Sequence, residues 1–466
     1  MKIAIIGTGY VGLTTAVCFA EFGHRVIGMD IDEKKIAMIQ SGKSPIFEPG
    51  LEEMLKRNLE SGRLTFTIDL TEALHETLVV FSAVATPPNE DFSADLRIVY
   101  QVCENVAQIA DHNFVFVNKS TVPIGTGSEC EERIAAILEK RGVSYHIPVI
   151  SNPEFLREGC AVTDTFQPDR IIVGVNNNPE ARERMEEIYR PVTRTKKPIL
   201  FMNRESAEIV KYASNAFLAT KISFVNMLCE LCEKKGANIR DVTHGMGLDD
   251  RIGSRFLHAG IGYGGSCFPK DVKALIALSR ETGIPMPIVE ATHEINERQR
   301  QRFFQALLST LPKRATVAVW GLSFKPKTDD MRDAPSCDLI PLLLAAGHTI
   351  RVFDPVAMEN AKKIFGDGIT YNSSPMEAAQ GADTVILLTE WDVFRGIHLQ
   401  ELKSTLKGNH LFDGRNVYEL REVTKAGLTY HGIGIGPDHC YTTSIFPSSH
   451  ERSIESEPID IKRIDH

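Results

Sequence analysis

The strongest constraint on this chain lies at its start. The apolar run Lys2–Ile6 leads directly into Gly7-Thr8-Gly9-Tyr10-Val11-Gly12, and a helical pattern follows. A second strand-like run at 25–29 ends at Asp30, 23 residues beyond Gly7. In this arrangement Gly7 permits a tight turn and Gly9 lets backbone approach a pyrophosphate. Gly12 lets helix and strand close on one another, and the helix N-terminus then faces the phosphates. Asp30 is placed to accept from a ribose 2′-hydroxyl and to repel a 2′-phosphate, which favours NAD over NADP. Lys35 falls within reach of the adenosine end. Strand, glycine loop, helix and acid in this order predict a dinucleotide site on a βαβ unit.

The rest of the chain repeats this plan. Strand-like runs at 2–6, 25–29, 78–84, 114–118, 147–150 and 171–175 alternate with helical patterns, the signature of a parallel sheet covered on both faces. From 206 to 235 the period changes to threes and fours, predicting one long helix that stops at Gly236. A glycine-rich loop at 259–266 and further helix to about 304 follow. At 316 the alternation resumes, with strands expected at 316–319, 349–353, 384–388 and 410–412 and a helix at 336–346. The expected fold class is α/β: two Rossmann-like doubly wound parallel-sheet domains joined by a long central helical segment. The boundaries read as 1–202, 203–305 and 306–440, with a polar tail at 441–466. A length of 466 residues suits about three domains.

Charge narrows the function. Lys plus Arg is 52 and Asp plus Glu is 61, a net charge of −9, whereas nucleic-acid and anionic-membrane binders carry a basic surplus. Neither partner is expected. No run approaches the ~18 apolar residues of a membrane span, and the apolar start reads as a buried strand rather than a leader, so the cytoplasm is the expected location. Nine cysteines, odd in number and scattered, read as reduced thiols. Cys229 and Cys232 form a lone CxxC inside a helical pattern and read as helix residues. No metal site is expected.

One thiol stands apart. The segment Gly260-Ile261-Gly262-Tyr263-Gly264-Gly265-Ser266-Cys267 ends where a helix begins, with Pro269 suited to its first turn. The glycines predict a loop whose amides approach a ligand. At a helix N-terminus with Lys270 nearby, Cys267 is expected to have a depressed pKa and to be nucleophilic, with Asp271 close enough to orient a partner. Oxidising an alcohol only to a carbonyl needs no thiol. Oxidation to an acid does: the aldehyde is trapped as a thiohemiacetal, gives up a second hydride, and becomes a thioester that water hydrolyses. A dinucleotide site paired with an activated thiol therefore predicts a four-electron dehydrogenase using two NAD.

Lys211 and Asn215, four residues apart, share one face of the long helix and can hold an alkoxide or thiohemiacetal oxygen. The segments 120–126 and 152–159 each follow a strand at the carboxyl edge, where α/β ligands sit. A carboxylate of the second can activate the hydrolytic water.

Together the motifs GTGYVG, Thr86-Pro87-Pro88, STVPIGT, NPEFLREG, KYASNAFLATKISF, GYGGSCFPKD, GLSFKPKTDDMRDAP and FDGR resemble the nucleotide-sugar 6-dehydrogenase family over about residues 1–435. The resemblance implies NAD as cofactor and a nucleotide sugar as substrate. UDP-glucose is the first expectation; GDP-mannose or UDP-N-acetylmannosamine would undergo the same chemistry. It implies Cys267 as nucleophile, Lys211 and Asn215 as oxyanion holders assisted by Asp271, and Thr121 and Glu154 as residues that position or activate water. NAD would meet Val11, Asp30, Lys35, Thr86, Thr121, Glu158, Lys270 and Arg332. The sugar nucleotide would meet Glu154, Phe155, Leu156, Lys211, Asn215, Phe256, Leu257, His258, Ala259, Gly260 and Gly264, with Lys325 and Arg415 from the last domain. Arg251 resembles an arginine that reaches in from a neighbouring subunit, which implies a homodimer or larger homo-oligomer. A two-electron β-hydroxyacid dehydrogenase also uses a Lys-x-x-x-Asn helix, but needs neither Cys267 nor the second α/β domain. Departures from the family pattern are Ala85 where Gly is common, Ile435 where Arg is usual, and the appended tail.

Overall fold

The computed structural model describes residues 1–193 and 197–435; the tail expected at 441–466 lies outside them. The first sheet has eight strands: β1 (Lys2–Ile6), β2 (Arg25–Met29), β3 (Leu64–Thr67), β4 (Val79–Ser82), β5 (Val115–Asn118), β6 (Val149–Ser151), β7 (Ile171–Gly174) and β8 (Ile199–Met202), in the order β3-β2-β1-β4-β5-β6-β7-β8. The second has six: β9 (Thr316–Trp320), β10 (Thr349–Phe353), β11 (Thr370–Tyr371), β12 (Thr384–Leu387), β13 (His410–Asp413) and β14 (Thr429–His431), in the order β11-β10-β9-β12-β13-β14. The two sheets share one plan. β1 lies between β2 and β4, and β9 between β10 and β12, all in parallel. At each of these places the strand order reverses, which opens a crevice beyond the carboxyl ends.

Ile3, Ala4 and Ile5 of β1 and Val317, Ala318 and Val319 of β9 are fully buried. Such strands are covered on both faces, so they read as continuous apolar runs rather than alternating ones. One feature departs from the expected all-parallel first sheet: β6 pairs with β7 antiparallel, through Ser151 and Gly174. After β6 the chain stays at the carboxyl edge through residues 152–160 and re-enters the sheet from that edge, so β7 and its parallel neighbour β8 run backwards. The strands β3, β8, β11 and β14 were not expected; all are short, and β8 and β11 are only partly buried.

The glycine loop after β1 takes the anticipated shape. Gly7 has φ +90°, and an added Cβ there would meet the Ala83 carbonyl oxygen at 2.9 Å. A Cβ on Gly12 would stand 1.7 Å from the Gly7 carbonyl oxygen, whereas one on Gly9 meets nothing within 4 Å. Helix α1 (Tyr10–Glu21) starts at Gly9 with no side-chain cap, which leaves its first amides directed at that open space.

The long helix α2 (Arg204–Lys235) is capped by Asn203, whose Oδ1 accepts from the Ser206 amide at 3.0 Å, and ends at Gly236 with φ 73°. It packs on α3 (Phe268–Thr282) and α4 (Pro287–Thr310). Among the described residues no helix is long and apolar enough to cross a membrane.

Gly12→Ala forces the loop and α1 apart and is expected to lower the unfolding free energy by about 3 kcal/mol or more. Gly9→Ala has room and costs less than about 1 kcal/mol, yet it intrudes on the phosphate position and weakens NAD binding about tenfold or more. Urea unfolding and NAD titration calorimetry on the two variants separate these effects; equal destabilisation would contradict this division of roles.

Candidate active site

The carboxyl edge of the first sheet carries the residues expected to meet the dinucleotide. Asp30, at the end of β2, accepts from the Thr8 amide and hydroxyl, each at 2.9 Å, and from Lys35 Nζ at 2.8 Å. Burial alone would raise this carboxyl, but Lys35 and Thr8 pull it below its ordinary value, so it stays an acceptor. The glycine cradle, the uncapped helix start and this charged acid fit a dinucleotide. Thr86, after β4, donates its hydroxyl to the Thr121 carbonyl after β5 at 2.9 Å, which holds these two loops side by side. Tyr10 ties the glycine loop to the loop after β6: its hydroxyl donates to Glu48, and the Gly159 amide donates to Tyr10 Oη at 2.9 Å and Glu48 Oε2 at 2.7 Å.

Two buried pairs stand beside Cys267. Lys211 Nζ donates to Glu154 Oε1 at 2.7 Å, both side chains less than a tenth exposed. Asn215 Nδ2 donates to Asp271 Oδ2 at 2.6 Å. The four-residue spacing on α2 therefore aims two donors at one place, and each is held by a carboxylate from a different segment. Burial would lower the Lys211 ammonium, but Glu154 and then Cys267 and Asp271 raise it on balance. Burial would likewise raise Glu154, which Lys211 and the Leu156 amide hold down. Both members of the pair stay charged. Phe155 lies under the Arg170 guanidinium at 3.7 Å, with Lys211 Nζ 5.5 Å from the same ring.

The thiol departs from expectation. Cys267 is the residue before α3, as expected, but burial pushes its pKa up rather than down, Glu154 adds to this, and Lys211 opposes it. Lys270, the cation expected beside it, pairs its ammonium with Asp271 Oδ1 at 2.6 Å. In this state the sulfur is a thiol.

The glycine-rich loop also does more than approach a ligand. The Gly265 amide donates to the Arg332 carbonyl at 2.9 Å, and Ile261 donates to the Gly414 carbonyl at 2.8 Å. A Cβ on Gly264 would stand 2.2 Å from the Asp333 carbonyl oxygen, and one on Gly265 2.6 Å from the Phe324 ring. These glycines let the loop press against the segments that follow β9 and β13, so the crevices of both sheets converge on Cys267. Arg415 belongs to this clasp: it donates to the carbonyls of Leu388 at 2.8 Å, Gly262 at 2.9 Å and Phe324 at 3.0 Å.

The other sequence candidates are distributed around this centre. Glu158 is buried and accepts from Ser266, Thr328 and, at 3.4 Å, Arg332. Lys325 is half-buried and near enough to lower the Glu158 carboxyl. The Gly260 amide donates to Asn226 Oδ1 at 3.0 Å; Leu257 is buried, Ala259 half-buried and His258 exposed. Phe256 has φ 65° and packs its ring 6.0 Å from Phe268. Arg251 is not brought to the thiol within one chain: its side chain is 89% exposed and pairs with Asp249 at 2.7 Å.

Sequence reasoning missed Lys119, Ser266, Asn296 and Arg300. Lys119 is buried near Glu154 and Lys211, and burial lowers it to about 8. Asn296 and Arg300 of α4 hold Tyr263 of the loop: Asn296 Oδ1 accepts from its amide at 2.9 Å, and Arg300 Nη2 donates to its carbonyl at 2.6 Å. Their four-residue spacing on a helix was a legible signal.

A dinucleotide crevice, a cysteine between two α/β domains and a lysine–asparagine helix face define an NAD-dependent oxidoreductase. The chain belongs to the UDP-glucose/GDP-mannose dehydrogenase family: the NAD binding domain of that family matches residues 1–193, its central domain 205–298 and its UDP binding domain 318–420. The chain is 46% identical over 439 residues to UDP-glucose 6-dehydrogenase of Rhizobium meliloti (strain 1021), covering 93% of this chain and 99% of the relative. It superposes with a TM-score of 0.85 and 38% identity on a UDP-glucose dehydrogenase from the archaeon Pyrobaculum islandicum, over 94% of this chain and 98% of that one. A UDP-D-ManNAc dehydrogenase from Pyrococcus horikoshii superposes with a TM-score of 0.80 at 28% identity, covering 93% and 99%.

Lys211→Met leaves Glu154 buried without its cation and is expected to destabilise the fold by about 3–5 kcal/mol at neutral pH. Glu154 is held below its ordinary 4.5 in the intact pair, so the pair's stability is present above that value and is lost as pH falls through the lowered one. The gap between Lys211→Met and the parent should therefore narrow in acid, where both proteins carry a protonated Glu154. Urea unfolding across this range checks it; a pH-independent gap would contradict the pairing.

Proposed function

We propose that this chain oxidises the C6 hydroxyl of UDP-glucose to the carboxylate of UDP-glucuronate, using two NAD and a covalent thioester on Cys267. The observation that carries the reading is the convergence of Cys267, the Lys211–Glu154 pair and the Asn215–Asp271 pair at the mouth of the dinucleotide crevice. NAD, when bound, would supply the hydride acceptor for the two oxidations. The cofactor would rest on Gly7, Gly9, Val11 and Gly12, with Asp30 and Lys35 at its adenosine end and Thr86, Thr121, Glu158, Lys270 and Arg332 towards the nicotinamide.

The remaining chemistry belongs to the chain. Lys211 and Asn215 hold the C6 oxygen, first as alkoxide and then as thiohemiacetal oxygen, in a water-poor site where such donors act strongly. Cys267 bonds to the aldehyde carbon before the half-oxidised sugar can leave. Thr121 orients the water that opens the thioester, and Glu154, kept ionised by Lys211, takes its proton. Asp271 fixes Asn215 and Lys270. The nucleotide sugar would lie along 256–260, with Lys325 facing its diphosphate.

For UDP-glucose over other nucleotide sugars, the support is the strong likeness to relatives that bear that activity in their names. UDP-N-acetylmannosamine is the second reading, favoured by the 28% identical structure. A homodimer fits the apolar face of α2, where Phe217, Phe224 and Leu231 recur every seven residues at 67%, 44% and 55% exposure. In such a dimer Arg251 is free to reach the partner's substrate. The described cysteines are free thiols, which fits a reducing cytoplasm.

With UDP-glucose as substrate, we expect two NADH per molecule consumed; one would favour a simple two-electron dehydrogenase. Faster turnover of GDP-mannose or UDP-N-acetylmannosamine would change the substrate. Cys267→Ser replaces the thioester by a slowly hydrolysed oxygen ester, so acid formation should fall by roughly 10³-fold or more. Full activity of that variant would exclude the thiol mechanism. Phe224→Asp should yield monomers in sedimentation equilibrium, and an unchanged assembly would remove the α2 interface.

A further inference from the structure

This inference rests on Cys267 acting as the nucleophile and concerns where its proton goes. The sulfur is half-buried and its pKa is raised, so it is a thiol, and attack on an aldehyde requires the proton to leave as the S–C bond forms. Two neighbouring carboxylates are already committed: Glu154 to Lys211 and the Leu156 amide, and Asp271 to Lys270 and Asn215. Glu158 is different. Its charged partner Arg332 stands off at 3.4 Å and bonds Asp330 more closely, at 2.7 Å. Its nearest donor is the Ser266 hydroxyl, 2.9 Å from Oε1, and the same Ser266 oxygen lies 3.5 Å from Cys267 Sγ. A hydroxyl has one hydrogen. With that hydrogen given to Glu158, the thiol is the donor to Ser266, and the three groups form an unbroken chain of donors.

We propose that Ser266 and Glu158 form a proton relay that takes the Cys267 proton as the sulfur attacks the aldehyde. The S–H bond breaks as the S–C bond forms. The thiol proton passes to Ser266 Oγ, whose own proton passes to Glu158 Oε1, and the carbonyl π pair moves onto the oxygen held by Lys211 and Asn215. When water opens the thioester, the leaving thiolate recovers a proton from Ser266, which is resupplied by Glu158, and the relay is reset. The hydrogen bonds then run in the opposite sense, from acid to hydroxyl to thiolate.

The charges around the relay suit this exchange. Burial, then Asp330, pushes the Glu158 carboxyl up to about 7, while the Ser266 hydrogen bond, then Arg332 and Lys325, pull it back; the Tyr10 phenol also faces it. A base near neutrality accepts a proton more readily than an ordinary carboxylate. On the sulfur, Glu154 and Asp271 oppose ionisation and Lys211 favours it.

The test is iodoacetamide alkylation of the protein without substrate or cofactor, read at residue 267 by peptide mass spectrometry across pH. The parent should show two rises, one near pH 7 as Glu158 becomes a base and one above 9.0 as the thiol ionises by itself. Ser266→Ala and Glu158→Gln should both lose the first rise and react about tenfold more slowly near pH 8. Ser266→Thr keeps a hydroxyl and should retain it, which a packing role for Ser266 alone would not produce. A parent profile with a single rise, or a first rise that survives in Ser266→Ala, overturns the relay and leaves Cys267 as the nucleophile. Failure of residue 267 to react at any pH overturns the nucleophile itself.

Discussion

Everything in the site depends on how closely the backbone of the 260–267 loop can approach the second sheet. At Gly264 the clearance is so small that a methyl group would stand 2.2 Å from a carbonyl oxygen. That contact lets the Gly265 amide and the Gly262 carbonyl be taken up by Arg332 and Arg415 of the last domain. Without it the two crevices would be separate grooves, each at the carboxyl edge of its own sheet. With it, loops after β6 and β9 meet around one sulfur. The glycines therefore form a contact surface between domains as well as a loop whose amides can approach a ligand.

The buried charges follow from this closure. A site shut between two domains excludes water, so an isolated ammonium or carboxylate there would be neutralised or would destabilise the fold. Lys211 with Glu154 and Lys270 with Asp271 are the solution, and Asn215 links the second pair to the long helix. The cost of burial is borne most visibly by Cys267. A thiolate would be a further negative charge beside two carboxylates, so the resting sulfur keeps its proton. In the mechanism we propose, proton movement is thereby coupled to the chemical step rather than completed in advance.

The sequence carried much of this, but unevenly. The glycine loop after β1 was legible because each glycine answers a local steric demand within a dozen residues, and the carbonyl of Gly7 against Gly12 bears that out. Lys211 and Asn215 were legible as one helix face because a helix has a fixed period. Glu154 and Asp271 were expected at the site from the family resemblance, but which donor each would hold was not legible: Glu154 lies 57 residues from Lys211, and Asp271 lies 56 from Asn215. No periodicity specifies pairings over such separations. The thiol's pKa was misjudged for the same reason. The helix N-terminus and Lys270 are local features, whereas desolvation by the opposite domain is not. The reversal of β7 was hidden because a short apolar run has no direction until its neighbours are known.

Two glutamates four residues apart, Glu154 and Glu158, end in opposite conditions. The first shares its oxygens with an ammonium and an amide and remains ionised. The second has a distant arginine, two hydroxyls and a nearby aspartate, and is pushed towards neutrality. Environments that drive two carboxyls apart in this way allow one loop to present both a permanent charge and a proton carrier at the same pH. The loop after β6 achieves this because it runs along the domain boundary. Its early residues face α2 and its lysine, and its later residues face the segment at 328–332.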